Sequence, residues 1–213
     1  MLKLIKIFSI SRQKNENGQN VNLELDVYQP EDDSQTERPT IIWAHGGGFC
    51  SGSKDTGIEM ILAQALAKKG YVSICINYRL RDNPGGDWEG TINDACDDAV
   101  DACKWVVKNS RKYGIDTDHI AIGGHSAGGT LAVILCYDSK GKEQLPDNSF
   151  FCVIDLAGSM LHTSKTRKTR TPCIIIGGTN DEIVSYSWNR NLSEQLNRNN
   201  IDNVLHGVKG APH

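Results

Sequence analysis

Ser126 lies in Gly124-His125-Ser126-Ala127-Gly128, a G-x-S-x-G arrangement set between the apolar run Ile120-Ala121-Ile122 and the helix-forming run Leu131 to Cys136. Glycines two places either side of a serine let a strand turn sharply into a helix, which lifts the serine Oγ clear of the sheet beside a helix N-terminus. Ser126 is therefore the candidate nucleophile, the alternative being a glycine-rich turn whose serine is idle. A serine hydroxyl attacks a carbonyl only when an imidazole takes its proton and a carboxylate fixes that imidazole's tautomer. With a nucleophile on this kind of turn, the chain order is serine, acid, histidine. The apolar run Cys173-Ile174-Ile175-Ile176 leads through Gly177-Gly178-Thr179-Asn180 to Asp181, at the carboxyl end of a strand, where active groups of open α/β sheets gather. Asp181 is the candidate acid, with Glu182 and Asp155 as fallbacks. Downstream of it lie His206, inside the last predicted strand, and His213, after the loop Gly207-Val208-Lys209-Gly210-Ala211-Pro212; position makes His213 the candidate base.

A second motif, His45-Gly46-Gly47-Gly48, follows the apolar run Thr40-Ile41-Ile42-Trp43-Ala44. Acyl transfer passes through a tetrahedral oxyanion, and backbone amides stabilise it where glycines let the chain approach closely. Gly47, Gly48 and the amide of Ala127 are the candidate donors. No Lys-Ser/Thr pair follows the glycines and no G-x-G-x-x-G is complete, which argues against a phosphate loop. Phe49 and Trp88 are candidate substrate contacts. His45 and His125 read as local hydrogen-bonding residues of the two motifs, His119 as the start of a strand and His162 as a loop residue.

Positioning these groups requires a sheet. Short apolar runs alternate with amphipathic stretches from about residue 40 onward, the signature of a mostly parallel sheet with helices on both faces. The pattern predicts strands at 2–12, 20–29, 40–45, 71–78, 119–124, 150–156, 173–178 and 203–208, and helices at 57–69, 89–112, 127–138 and 185–199. The first two strands are joined by a polar turn at Asn15-Glu16-Asn17-Gly18 and should form an antiparallel hairpin at one edge. On the long helix, Asp94, Asp97, Asp98 and Asp101 read as a solvated face rather than a metal cluster, since no histidine stands at ligand spacing.

At 213 residues the chain suits a single domain spanning 1–213. A net charge of −3 offers no nucleic-acid footprint. The apolar stretches are strand-length, too short for a transmembrane helix, so no membrane is expected as a partner. The N-terminal run Leu2 to Phe8 carries lysines and reads as a first strand rather than a signal peptide. Seven cysteines without C-x-x-C or zinc spacing read as reduced core thiols, which favours a cytoplasmic setting.

Together, His45-Gly46-Gly47-Gly48-Phe49, Asn77-Tyr78-Arg79-Leu80, Gly114-Ile115-Asp116, Gly124-His125-Ser126-Ala127-Gly128-Gly129, Gly178-Thr179-Asn180-Asp181 and Gly210-Ala211-Pro212-His213 make the chain resemble carboxylesterases of the α/β-hydrolase superfamily, over about residues 20–213. The likeness is to the HGGG-type, hormone-sensitive-lipase-like branch and to compact acetyl-xylan and feruloyl esterases. It implies an eight-stranded α/β-hydrolase fold, no metal or organic cofactor, and Ser126, Asp181 and His213 as nucleophile, acid and base beside an oxyanion loop. Two departures stand out. Family members carry a helix after the catalytic histidine, whereas this sequence stops at His213, so continuation of the polypeptide is expected and a terminal ring would otherwise be loosely held. There is also no room for a sizeable cap: residues 158–171 form a short crossover. The expected substrate is a short-chain or aryl ester, small or polysaccharide-linked, and an uncovered serine suits short acyl groups on bulky or polymeric alcohols such as plant polysaccharides better than long lipid chains. Within the crossover, Lys165 to Arg170 reads as a solvated loop, or as a basic rim for anionic esters. An amide-cleaving hydrolase, similar to arylformamidases or peptidases, and a non-catalytic binding protein of the same fold are the alternatives.

Overall fold

The computed structural model describes residues 2–31, 34–138, 145–146, 149–159 and 169–213. Its strands are β1 (Leu2–Lys14), β2 (Asn20–Pro30), β3 (Arg38–Ala44), β4 (Val72–Ile76), β5 (Ile115–His125), β6 (Cys152–Leu156), β7 (Cys173–Gly178) and β8 (Asn203–Val208). They form one eight-stranded sheet in the order β1-β2-β4-β3-β5-β6-β7-β8. β1 and β2 pair antiparallel, as do β2 and β4; every pairing from β4 through β3 to β8 is parallel. The hairpin turn closes as its sequence suggests, with the Asn15 side-chain oxygen accepting the amides of Asn17 at 3.1 Å and Gln19 at 2.8 Å.

The helices are α1 (Gly57–Ala67), α2 (Trp88–Lys108), α3 (Ser110–Tyr113), α4 (Ala127–Tyr137) and α5 (Tyr186–Arg198). Because side chains alternate along a strand, neighbouring residues of the central strands serve opposite layers. Ile42, Ile74 and Ile122 share a core with Ala95 and Ala99 of α2, Leu131 and Leu135 of α4, and Leu192 of α5. Ile41, Trp43, Cys75 and Ala121 pack instead with Ala63 and Ala67 of α1. Every residue of α4 is buried. This explains a helix that is apolar all round rather than amphipathic.

Two of the boundaries that differ from the sequence reading have a clear local cause. The stretch predicted as one helix over 89–112 breaks at Asn109, whose side-chain amide turns back to donate to the Trp105 carbonyl at 2.8 Å, leaving α3 as a separate turn. β5 begins at Ile115 rather than 119, because Arg38 of β3 extends the parallel ladder to that residue.

The expected solvated aspartate face is corrected more substantially. Asp98 is fully buried and receives the backbone amide of Arg79 at 2.7 Å and its Nε at 2.9 Å, with Nη2 at 2.8 Å. Asp94 lies 3.0 Å from Arg79 Nη1 and 2.6 Å from Arg81 Nη2, and Asp101 accepts from Gln13 at 2.9 Å. Helix periodicity reported where these carboxylates sit on α2, but not that an arginine after β4 would fold down onto them. The arrangement pins residues 77–81, and with them Tyr78, whose hydroxyl donates to the His45 carbonyl at 2.7 Å while its ring stacks on His45 at 4.3 Å. Breaking a buried pair leaves the surviving charge uncompensated, so Asp98→Ala should cost about 3–5 kcal/mol of unfolding free energy. Urea denaturation monitored by circular dichroism measures that loss; a change indistinguishable from zero would contradict it.

Candidate active site

The carboxyl ends of β3, β5 and β7 carry the candidate residues. At the end of β5 the chain turns into α4 through Ser126, held at φ 55° and ψ −119°, a left-handed conformation that a serine adopts only under surrounding constraint. Its amide donates to the Leu156 carbonyl at 2.8 Å and its carbonyl accepts from Thr130 at 2.9 Å. The turn is possible because α4 presses against β3: a Cβ on Gly128 would overlap the carbonyls of Ala44 and His45.

The structure brings the three distant candidates together. Asp181 Oδ2 lies 2.7 Å from His213 Nδ1, and His213 Nε2 lies 2.8 Å from Ser126 Oγ. A carboxylate only accepts, so Nδ1 carries the proton and donates, and Nε2 is left to accept from the serine hydroxyl. The other Asp181 oxygen accepts the amides of Ile183 at 2.9 Å and Val184 at 2.8 Å. Burial raises the pKa of this carboxyl, but the His213 hydrogen bond and the two amides outweigh that effect and hold it below the ordinary range. The segment leading to His213 is anchored by backbone hydrogen bonds. Thr179 donates its amide to Val208 at 3.0 Å, Asn180 to Ala211 at 3.0 Å, and Gly210 to the Thr179 hydroxyl at 2.8 Å, which ties residues 208–213 to the loop bearing Asp181. The imidazole also sits beside the His125 ring, 4.8 Å between centroids.

Gly47 and Gly48 face the same cavity as Ser126. Gly47, at φ 119°, reverses the loop so that its carbonyl accepts from Cys50 at 3.1 Å and Ser51 at 3.0 Å, where a side chain would meet Ser51. Among the described residues, no acceptor takes the amides of Gly47, Gly48 or Ala127, the last being an orphan of the first turn of α4. His45 is buried and donates from Nδ1 to the Gly46 carbonyl at 2.7 Å; burial lowers its pKa against that hydrogen bond.

The remaining candidates fall elsewhere. Glu182 is exposed, while Asp155 is wholly buried, accepts the Gly158 amide at 2.9 Å, and has its pKa pushed up to about 7 by burial. His206 lies on β8, and His119 pairs with Asp116 at 2.7 Å within β5 rather than at its start. His162 and Lys165 to Lys168 lie outside the described residues. Phe49, a sequence candidate for substrate contact with Trp88, is 2% exposed and packs into the core against Tyr78 and, edge-on, against the half-buried Trp88. Neither lines the cavity of about 350 Å³ beside Ser126 or the adjoining one of about 540 Å³. Those cavities meet at Gly57, Ile58, His125 and His213; the exposed apolar walls are Ile58 and Ile183 in the first and Ile58 and Val208 in the second. Sequence reasoning missed both isoleucines, because an apolar residue at a helix start or in a turn does not announce that it stays uncovered. It missed Glu59 as well, a buried carboxylate of α1 that lines the cavity.

Among the described residues, no group of three His, Cys, Asp or Glu side chains is placed to hold a metal ion, and no helix is long and apolar enough to cross a membrane. All seven cysteines are free, with Cys50 exposed in the glycine loop. What the arrangement can do is generate a serine nucleophile beside unpaired amides in a mostly apolar cleft. Overpacking the turn that creates it should be felt throughout, so Gly128→Ala should lower stability by about 1–3 kcal/mol and displace Ser126. A thermal melt together with the rate of serine labelling by a fluorophosphonate probe measures both effects, and unchanged values would refute this account of the turn.

The BD-FAE family model matches residues 25–155, well over half the chain, and takes in the glycine loop and Ser126 but neither Asp181 nor His213. Ethyl acetate hydrolase of Pseudomonas putida is 32% identical over 116 residues, which are 54% of this chain and 34% of that protein. Arylacetamide deacetylase of Oryctolagus cuniculus is 32% identical over 114 residues, 52% of this chain and 27% of its own length. The match thus spans about a quarter to a third of the length of these relatives. Among solved structures, esterase 2 of Thermogutta terrifontis, phosphonylated by cyclosarin, superimposes with a TM-score of 0.76 at 24% identity, covering 94% of this chain and 81% of the other. With the parallel sheet, the turn at Ser126 and the glycine loop in place, these likenesses show that the chain belongs to the BD-FAE family and has the α/β-hydrolase fold.

Proposed function

We propose that the chain is a serine carboxylesterase acting through Ser126, His213 and Asp181 and a covalent acyl-enzyme. The observation that carries this reading is the continuous hydrogen-bonded line from Asp181 Oδ2 through the imidazole of His213 to Ser126 Oγ, at 2.7 and 2.8 Å. Ser126 Oγ attacks the ester carbonyl as Nε2 of His213 takes its proton, and Asp181 stabilises the imidazolium so formed. The oxyanion of the tetrahedral intermediate is held by the free amides of Gly47, Gly48 and Ala127, in a cleft where such dipoles act with little screening. His213 returns the proton to the leaving alcohol, and the same groups activate a water that releases the acid. On this reading Ser126→Ala abolishes ester hydrolysis and fluorophosphonate labelling, and Asp181→Asn, which leaves the imidazole in the wrong tautomer, lowers kcat about 10⁴-fold. Retained activity in Ser126→Ala would reject the assignment.

The substrate is a carboxylic ester with a short or aryl acyl group, whose alcohol portion is either a small molecule or part of a plant polysaccharide. The cavity of about 350 Å³ that holds Ser126 and the glycine loop, walled by glycine, Ile58 and Ile183, supports a short or aryl acyl group, and the adjoining cavity of about 540 Å³ offers room for the alcohol portion. Across p-nitrophenyl acetate, butyrate, octanoate and decanoate, kcat/KM should peak at the short end and fall by roughly tenfold or more at the long end, the discrimination expected when a few methylenes find no pocket. A flat profile would refute it.

The similarity to arylacetamide deacetylase favours one second reading, an amide-cleaving hydrolase that uses the same groups. Comparing p-nitroacetanilide with p-nitrophenyl acetate separates the two: faster turnover of the anilide would make the amide the natural bond.

A further inference from the structure

Glu59 is a carboxylate that the proposed reaction does not use, yet it occupies the point where the two glycine motifs meet. It lies in the first turn of α1 and is 2% exposed. Its Oε1 accepts the amide of Gly46 at 3.1 Å and the amide of His125 at 3.0 Å. Gly46 immediately precedes Gly47 and Gly48, and His125 immediately precedes Ser126. A single oxygen therefore holds the oxyanion loop and the nucleophile turn at a common distance.

The sheet cannot do this by itself. The ladder between β3 and β5 ends at the pair Ala44 and Gly124. Beyond it the two segments still run side by side, since a Cβ on Gly46 would stand 3.1 Å from His125 Nδ1 and 3.2 Å from the His125 carbonyl. Among the described residues, no backbone hydrogen bond joins Gly46 to His125, and the amides of both turn to Glu59. An acceptor must come from outside the sheet, and an ionised carboxylate makes stronger hydrogen bonds than a peptide carbonyl. Glu59 takes that place. Burial raises its pKa, and hydrogen bonds from its own amide and those of His125 and Gly46 oppose that rise without cancelling it. Engaging the Gly46 amide also settles which donors remain for the oxyanion: Gly47 and Gly48 stay free.

We propose that Glu59 is a positioning residue that sets the distance between the oxyanion amides and Ser126 by replacing the ladder acceptor missing past Ala44 and Gly124. The assignment rests on the esterase reading above. It concerns geometry at the transition state, so its loss appears in kcat rather than in substrate binding.

The test compares Glu59→Ala, Glu59→Gln and Glu59→Asp in the full chain, with rates normalised to the sites titrated by a fluorophosphonate. Displacing an oxyanion donor by an ångström should lower kcat on p-nitrophenyl butyrate about 10- to 100-fold in Glu59→Ala and leave KM within about threefold. The affinity of an alkylboronic acid, which mimics the tetrahedral adduct, should weaken in parallel with kcat. Glu59→Gln keeps both the reach and an acceptor oxygen, so it should recover most of the rate. Glu59→Asp is one methylene short of the two amides and should behave like Glu59→Ala. If Glu59→Ala does not fold, the contrast between the Gln and Asp variants decides the matter. Wild-type kcat per titrated site in Glu59→Ala or Glu59→Asp, a loss confined to KM, or a Gln variant as impaired as the others would each overturn the assignment. A wild-type protein that neither turns over the ester nor takes the probe would instead sink the esterase reading, and this assignment with it.

Discussion

The close approach of α4 to the end of β3 is the constraint on which the rest of the site depends. Gly128 lies so near the carbonyls of Ala44 and His45 that no side chain fits between them, and this contact drives the chain through a left-handed turn at Ser126. The cost of that backbone conformation is met by the burial of the whole of α4 against the sheet. The same contact sets the first amides of α4 beside the glycine loop that follows β3. One steric fact thereby exposes the hydroxyl and assembles the donors next to it.

A close contact positions groups only if both partners are rigid, and the glycine loop has little secondary structure to stiffen it. Its rigidity comes from below. Asp98 holds Arg79, Arg79 fixes the segment that carries Tyr78, and Tyr78 both stacks on His45 and donates to its carbonyl. Lys54, further along the same loop, donates its amide to the Asn77 side chain at 2.7 Å and places its ammonium 3.1 Å from the buried Asp26. Buried ion pairs of this kind add little net stability, because desolvation offsets most of the Coulombic attraction. Here they serve to give a loop without strands one geometry.

Much of the architecture was legible beforehand. The continuous apolar run Thr40 to Ala44 marks a strand buried on both faces, and the glycines around Ser126 mark the turn, since few other residues could make it. The aspartates of α2 were not legible in the same way. Their spacing shows which face of the helix they occupy, but whether that face meets water or Arg79 depends on a loop from elsewhere in the chain. Phe49 shows the converse: an aromatic beside a glycine motif suggests a substrate contact, and only the packing of Tyr78 and Trp88 around it reveals a core residue.

By itself the sequence determined the strand and helix pattern, the nucleophile turn and the chain order of Ser126, Asp181 and His213, because each follows from local sterics, from periodicity or from the order in which strands enter a sheet. Only the tertiary structure decided that the Asp181 carboxylate, the His213 ring and the Ser126 hydroxyl meet within hydrogen-bonding distance, that Ile58 and Ile183 wall the cleft, and that Glu59 joins the two glycine motifs. Contacts of that kind link residues far apart along the chain through the register of neighbouring strands and the tilt of a helix. Hydrogen bonds are lost over a fraction of an ångström, a precision that residue type and spacing do not encode.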